Sequence, residues 1–307
     1  MAALIRDLNQ SFSRYLRAEG RSPRTVETHC GCVENYVRWL EKQQLPTTHD
    51  SLTRRLIVAW LADLADHWKP ATAATRFRGM SRFVKWLVAE DELDANPMEG
   101  LQQPEIPDKP VPVLTDDDLA ALIKACSGRD LYDRRDEAII RMLLDTGLRV
   151  SELCGITVDT GEGDSRVPGT LDLDNGAAII TGKGGKVRAV YFGARTERAL
   201  DRYLRVRRTH HLGHLPNLLL GQRGPLSKQG VWAAMEARAG KAGLLKANPH
   251  RFRHTWAHDF LLAGGQERDL KRLAGWSSDK MLERYGSSAA DARAAAAARK
   301  LRRGDRV

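Results

Sequence analysis

Four groups of residues have types and spacings that could do chemistry. Arg149 and Glu152 lie three apart in "DTGLRVSEL", just past a glycine that stops a helix. A carboxylate there can orient the guanidinium, whose planar fork suits phosphate. The same two residues also read as an ordinary surface pair on a helix. His250 and Arg253 share one helical face in "HRFRH", which pairs a proton carrier active near neutral pH with a second anion-binding group. Pro249 just before them favours a helix start, and a helix N-terminus assists anion binding. His254 and His258 have a metal-compatible i,i+4 spacing, but no HExxH glutamate accompanies them. His254 fits better as a packed, hydrogen-bonded residue. Lys183 sits in the glycine turn "TGKGGK", which lacks the GxxxxGK[ST] pattern of a nucleotide-binding loop. It reads equally as an exposed hairpin lysine, and Lys186 and Arg188 compete with it for any role. Tyr285, in "LERYG", has an ordinary phenol pKa of about 10. It becomes a nucleophile only if neighbouring cations favour the phenolate. Taken alone, it reads as an aromatic that packs down the tail.

The elements that must position these residues follow from pattern. "LTDDDLAALIKAC" opens a helix with Thr115 as cap and Asp118 where a capping-box acid sits. "RRDEAIIRMLLDTG" is a helix ended by Gly147, and "RVSELCGI" a short one after it. Residues 158–170 are turn-rich and predict a loop. "TLDLDNGAAIITGKGGKVRAVYFG" alternates between glycines and predicts a small antiparallel sheet with "GKGG" at a hairpin turn. Further helices are expected over "ARTERALDRYLRVRR", "QGVWAAMEARAGKAG", "NPHRFRHTWAHDFLLAG" and "DLKRLAGW". The tail "AADARAAAAARKLRR" is strongly helix-prone.

Upstream, "QQPEIPDKPVPVL" packs four prolines into a stretch no helix interior tolerates, so it reads as an extended linker over residues 104–113. The chain divides there into 1–103 and 114–290, with a basic tail over 291–307. The first part predicts four or five helices. Ser22 caps one, Pro23 takes its first position, and Val26, Cys30, Val33, Tyr36 or Val37, and Leu40 recur at helical spacing. In a later helix Phe77, Met80, Val84 and Leu87 form an apolar stripe, while Arg78, Arg82 and Lys85 form a basic one suited to phosphate or simply to water.

The bulk figures bound the function. The 307 residues carry a formal net charge of +10. Residues 1–103 hold only +1 of it, so any polyanion argument concerns the remainder. The four cysteines form no CxxC pair, which points to a reducing cytoplasm rather than a disulfide framework or a zinc site. No apolar run of membrane-spanning length occurs.

The motifs "TGLRVSEL", "GKGGKVR", "PHRFRHTWA" and "LAGWSSDKMLERYG", in this order, resemble the tyrosine recombinase (phage integrase) family over essentially residues 1–290. The resemblance implies a mainly α fold. A helical, SAM-like core-binding domain would precede an α+β catalytic domain with a small antiparallel sheet. It implies site-specific recombination of duplex DNA through a 3′-phosphotyrosyl intermediate, with no cofactor or metal. Residue by residue, it matches Tyr285 to the nucleophile, Arg149 and Arg253 to the catalytic arginines, Glu152 to the acid that supports the first, His250 to the histidine and Lys183 to the hairpin lysine. Trp276 falls where most members carry histidine, as in Cre. An indole N–H still donates a hydrogen bond but cannot carry a proton, which shifts that duty to His250 and Lys183. Arg78, Arg82, Lys85, Lys186 and Arg188 are candidate DNA backbone contacts. The core-binding helices begin almost at residue 1, so the layout is similar to Xer-type recombinases and Cre rather than to larger integrases. The resemblance also implies a cytoplasmic, bacterial or phage-encoded protein that forms a homo-tetramer on two duplexes, with a tail that packs into a neighbouring protomer. Type IB topoisomerases and telomere resolvases would share the arginines and the tyrosine. The two-domain length and the Xer-like motif text favour recombination.

Overall fold

A computed structural model describes residues 3–107, 112–161, 165, 167–279, 281–282, 290, 293–295 and 298–299, with Lys183 described in its backbone only. The chain forms two compact units, Met1–Lys109 and Pro110–Val307.

The first unit is helical: α1 (Ile5–Ala18), α2 (Pro23–Lys42), α3 (Arg54–His67) and α4 (Pro70–Ala89). Ser22 caps α2 by accepting from the Thr25 N–H, with Pro23 in the first turn. Thr53 caps α3 in the same way. Phe77, Met80, Val84 and Leu87 are all buried, as their spacing predicts, and pack with Trp60, Tyr36 and Phe12. One position differs from the pattern read in α2. Cys32 is buried and Cys30 only half-buried, because α2 crosses α4 at Gly79, where any Cβ would stand 2.4 Å from the Cys32 Sγ.

The second unit begins with α5 (Asp116–Lys124), where Thr115 and Asp118 form the reciprocal capping box. Then come α6 (Leu131–Thr146) and the short α7 (Val150–Leu153). The three-stranded antiparallel sheet runs β1 (Leu171–Asp172), β2 (Ala177–Thr181) and β3 (Val187–Tyr191), in that order. A tight turn over Lys183–Gly185 joins β2 to β3. The chain continues through α8 (Ala194–Arg208), α9 (Lys228–Lys241), α10 (Pro249–Leu262) and α11 (Glu267–Ala274). The described tail residues 290, 293–295 and 298–299 are helical, and Arg293 donates to Glu267 of the same chain at 2.8 Å. The main core gathers α6, the inner face of the sheet, α8 and α9. A smaller one under α10 and α11 holds Trp256, Leu261, Leu270 and Trp276.

Two glycines stop helices that face the site. Gly147 ends α6 at φ +56°, and Gly275 ends α11 at φ +64°. These are left-handed conformations that glycine adopts without steric cost. A Cβ on Gly147 would also lie 2.2 Å from the Trp256 ring. Gly147→Ala is therefore expected to cost about 2–4 kcal/mol, the sum of backbone strain and overpacking. Thermal melts of the two proteins would measure it, and an unchanged melting temperature would contradict this account.

Candidate active site

Sequence-distant residues meet where α6 and α11 end. Arg149 is the N-cap of α7, and its backbone N–H and guanidinium both reach Glu152, at 2.9 and 2.8 Å. Glu152 is 3% exposed. A second arginine grips the same carboxylate: Arg188 donates Nη1 to Oε1 and Nη2 to Oε2, each at 3.0 Å. The Arg188 Nε donates to the Leu273 carbonyl at 2.8 Å.

Arg253, one turn into α10, is 3% exposed. It donates Nη1 to the Gly147 carbonyl and Nη2 to the Ala274 carbonyl. Its Cζ lies 5.3 Å from the Trp276 ring centre, a cation–π distance. The last carbonyls of a helix lack intrahelical partners and carry partial negative charge, so they attract cations. Both Arg188 and Arg253 bind the final turn of α11 in this way. Two anchors on each guanidinium fix the plane of its fork.

A cleft of about 530 Å³ opens beside this cluster. Arg149, Lys186, Arg188, Trp276 and, from α11, Lys271 and Arg272 line it. Gly182 and Gly184, which flank Lys183, line it as well. The Lys183 side chain and Tyr285 lie outside the described residues. His250 occupies the first turn of α10, on the face of Arg253, with its ring 5.8 Å from the Trp232 ring in an edge arrangement. Asn248 caps this turn by accepting from the Arg251 N–H at 3.1 Å. His254 is buried, at 6% exposure. Among the described residues no cluster of three or more His, Cys, Asp or Glu has a metal-binding arrangement.

Burial alone would raise the Glu152 pKa, but the hydrogen bonds from Arg188 and Arg149 outweigh it and hold the carboxyl below its ordinary value. A depressed folded-state pKa stabilises the fold above the unfolded value and loses that contribution as pH falls through the folded one. The chain is thus expected to lose stability on acidification below about 4.5. Glu152→Gln should flatten that acid limb. Equally steep acid limbs in both proteins, followed by circular dichroism, would refute the point.

The candidate backbone contacts divide. Lys186 lines the cleft and is exposed. Arg188 turns inward instead of toward a ligand, because it shares the face of β3 with buried Val190 and pairs across to buried Ile180. Its fork is committed to Glu152. In the first unit, Arg78 and Lys85 are exposed, whereas Arg82 pairs with Glu19. His29 beside them is held below its usual pKa, first by burial and then by Arg82, Arg21 and Arg78. What pattern reading missed is the inward role of Arg188 and the Lys271 and Arg272 wall. The alternation of β3 carried the first signal.

A helical unit followed by a helical unit with a small sheet, in which two arginines meet beside a basic cleft, is the architecture to be placed, and sequence comparison assigns the family. Residues 112–291 match the phage integrase family and residues 8–94 match the phage integrase N-terminal SAM-like domain. The chain belongs to the phage integrase family. It is 32% identical to tyrosine recombinase XerD of Corynebacterium glutamicum over 299 residues, covering 93% of this chain and 95% of that one. It is 30% identical to tyrosine recombinase XerC of Myxococcus xanthus, covering 91% and 92%. The Tn1549 transposon integrase in complex with transposon right end DNA shares the fold at a TM-score of 0.71 and 21% identity, covering 97% of this chain and 99% of that one. No helix among the described residues is long and apolar enough to cross a membrane.

Proposed function

We propose that this chain is a site-specific DNA recombinase that cuts and rejoins duplex DNA through a 3′-phosphotyrosyl link. The Tyr285 phenolate oxygen attacks a scissile phosphorus, the bond to the 5′-oxygen breaks, and that oxygen leaves as a hydroxyl. Arg149 and Arg253 stabilise charge on the non-bridging oxygens as it develops. Glu152 fixes Arg149. Trp276 packs on Arg253 and fills the histidine position. His250 takes the tyrosine proton, and Lys183 gives one to the leaving oxygen. The covalent link conserves the bond energy, so rejoining needs no ATP. Attack by a 5′-hydroxyl from a second duplex completes strand exchange, for integration, excision or resolution. A homo-tetramer on two duplexes in the cytoplasm is the working assembly. Residues 1–103 bind the core site with Arg78, Arg82 and Lys85 toward its backbone, and Lys186 adds a contact from the catalytic unit.

One observation carries this reading. Helix ends far apart in sequence bring Arg149 and Arg253 into a single cluster, and that cluster adjoins a basic cleft. The relatives named tyrosine recombinase add the expectation of an attacking tyrosine. The test is a nicked duplex carrying the recombination site that flanks the gene. The protein should form a denaturant-resistant adduct at the 3′-phosphate, and it should do so in excess EDTA. An adduct at a 5′-phosphate, or none, would refute the mechanism.

A further inference from the structure

We propose that the outer face of α8, with the adjoining part of α6, is a second surface for the phosphate backbone of duplex DNA, separate from the cleft at Arg149. The choice of DNA as occupant rests on the recombinase reading above. The observation is a concentration of charge. α8 alone holds six arginines against two acids, in a chain whose whole excess is +10. Arg195, Arg198 and Arg205 are exposed, and Arg202 is half-buried. With Arg141 of α6 they line a concavity of about 480 Å³ that has no lining residue in common with the catalytic cleft.

The surface is partly preorganised. Glu137 of α6 is 6% exposed. It accepts from Arg141 at 3.0 Å and from Arg202 at 2.8 Å, and Arg134 lies 3.8 Å away. One carboxylate cannot neutralise three guanidiniums, but it does fix two of them, which lowers the entropy lost on binding an anion. Asp201 pairs with Arg205 at an exposed position. The face therefore keeps an excess of positive charge that packing within the chain does not explain.

Spacing and composition select the partner. Arg195, Arg198, Arg202 and Arg205 recur at helical intervals along one side of α8. Ten residues of helix span about 15 Å, and one strand of B-DNA presents about four phosphates over that length. Between the arginines the outer face offers Glu197 and Asp201 but no aromatic or aliphatic anchor. Protein interfaces are built around such anchors, and base-stacking sites around aromatics. A repeating phosphate backbone needs neither.

The experiment counts duplexes. Full-length protein is titrated at low salt with a random-sequence duplex of about 15 base pairs, a rod of about 50 Å that stays straight because it is far shorter than the persistence length of about 150 base pairs. Native mass spectrometry reads the stoichiometry. The wild type should bind two duplexes per chain. R195Q/R198Q/R205Q should bind one, with the remaining affinity changed by less than about twofold, because neither Glu137 nor its ligands are altered. R195K/R198K/R205K should restore the second duplex, with a salt slope of about −2 to −3. One duplex on the wild type, two on the glutamine variant, or parallel weakening of both sites would each overturn the proposal. So would a poly-glutamate peptide that displaces the second duplex at lower concentration than a competing duplex does. Failure of the recombinase reading would show in the covalent adduct, which this count does not measure.

Discussion

Tyr285→Phe should abolish covalent attachment to DNA while duplex binding stays within about twofold of wild type, because phosphate contacts from arginine dominate affinity. The substitution removes one oxygen, the atom proposed to attack, and keeps the ring. Loss of a nucleophile costs on the order of 10⁴–10⁶ in rate. A water that took its place would cut without forming an adduct. Trapping on a nicked duplex separates these cases. A persistent adduct in the variant would move the nucleophile elsewhere, and hydrolytic nicking without adduct would show that the arginine cluster activates water.

Arg188→Leu is the second large effect, and stability reveals it first. Among the described residues the variant leaves Glu152 almost fully buried with Arg149 alone to pair it, having lost two bonds of 3.0 Å. Removing one partner of a buried pair costs about 3–5 kcal/mol. In a unit of this size that lowers the melting temperature by about 6–20 °C. Cleavage should fall by about 10–100-fold, since Arg149 then lacks a fixed carboxylate and small misplacements of a catalytic group are costly. Arg188→Lys should recover part of both, as a point charge replaces a fork. Were Arg188 instead a backbone contact, its loss would lower the salt slope of DNA binding by about one and leave the melt unchanged. The two outcomes do not overlap.

The contrast between Arg188 and Arg149 shows what the sequence makes legible. Caps, stops and alternation are local. Ser22, Thr115, Gly147 and the β2–β3 turn therefore read directly from neighbouring residues and recur in the structure. Arg149 and Glu152 are three apart, so their pairing is local too. Arg188 meets Glu152 from another strand and Leu273 from another helix, and no local pattern names those partners. Its direction was legible, since strand parity puts it beside Val190. What parity could not give was a buried carboxylate waiting on that face. The same limit applies to Arg253. Its position on α10 follows from periodicity, whereas its anchors are carbonyls of α6 and α11.

The turn that ends α11 has a consequence for biosynthesis. The Leu273 and Ala274 carbonyls anchor Arg188 and Arg253, and these carbonyls are among the later parts of the chain to be made. A nascent chain that already displays Arg188 and Arg253 lacks these two anchors until residues 267–276 have left the ribosome and folded. Translation order thus supplies these anchors late, and a chain truncated before α11 should carry Arg188 and Arg253 without the carbonyls that aim them.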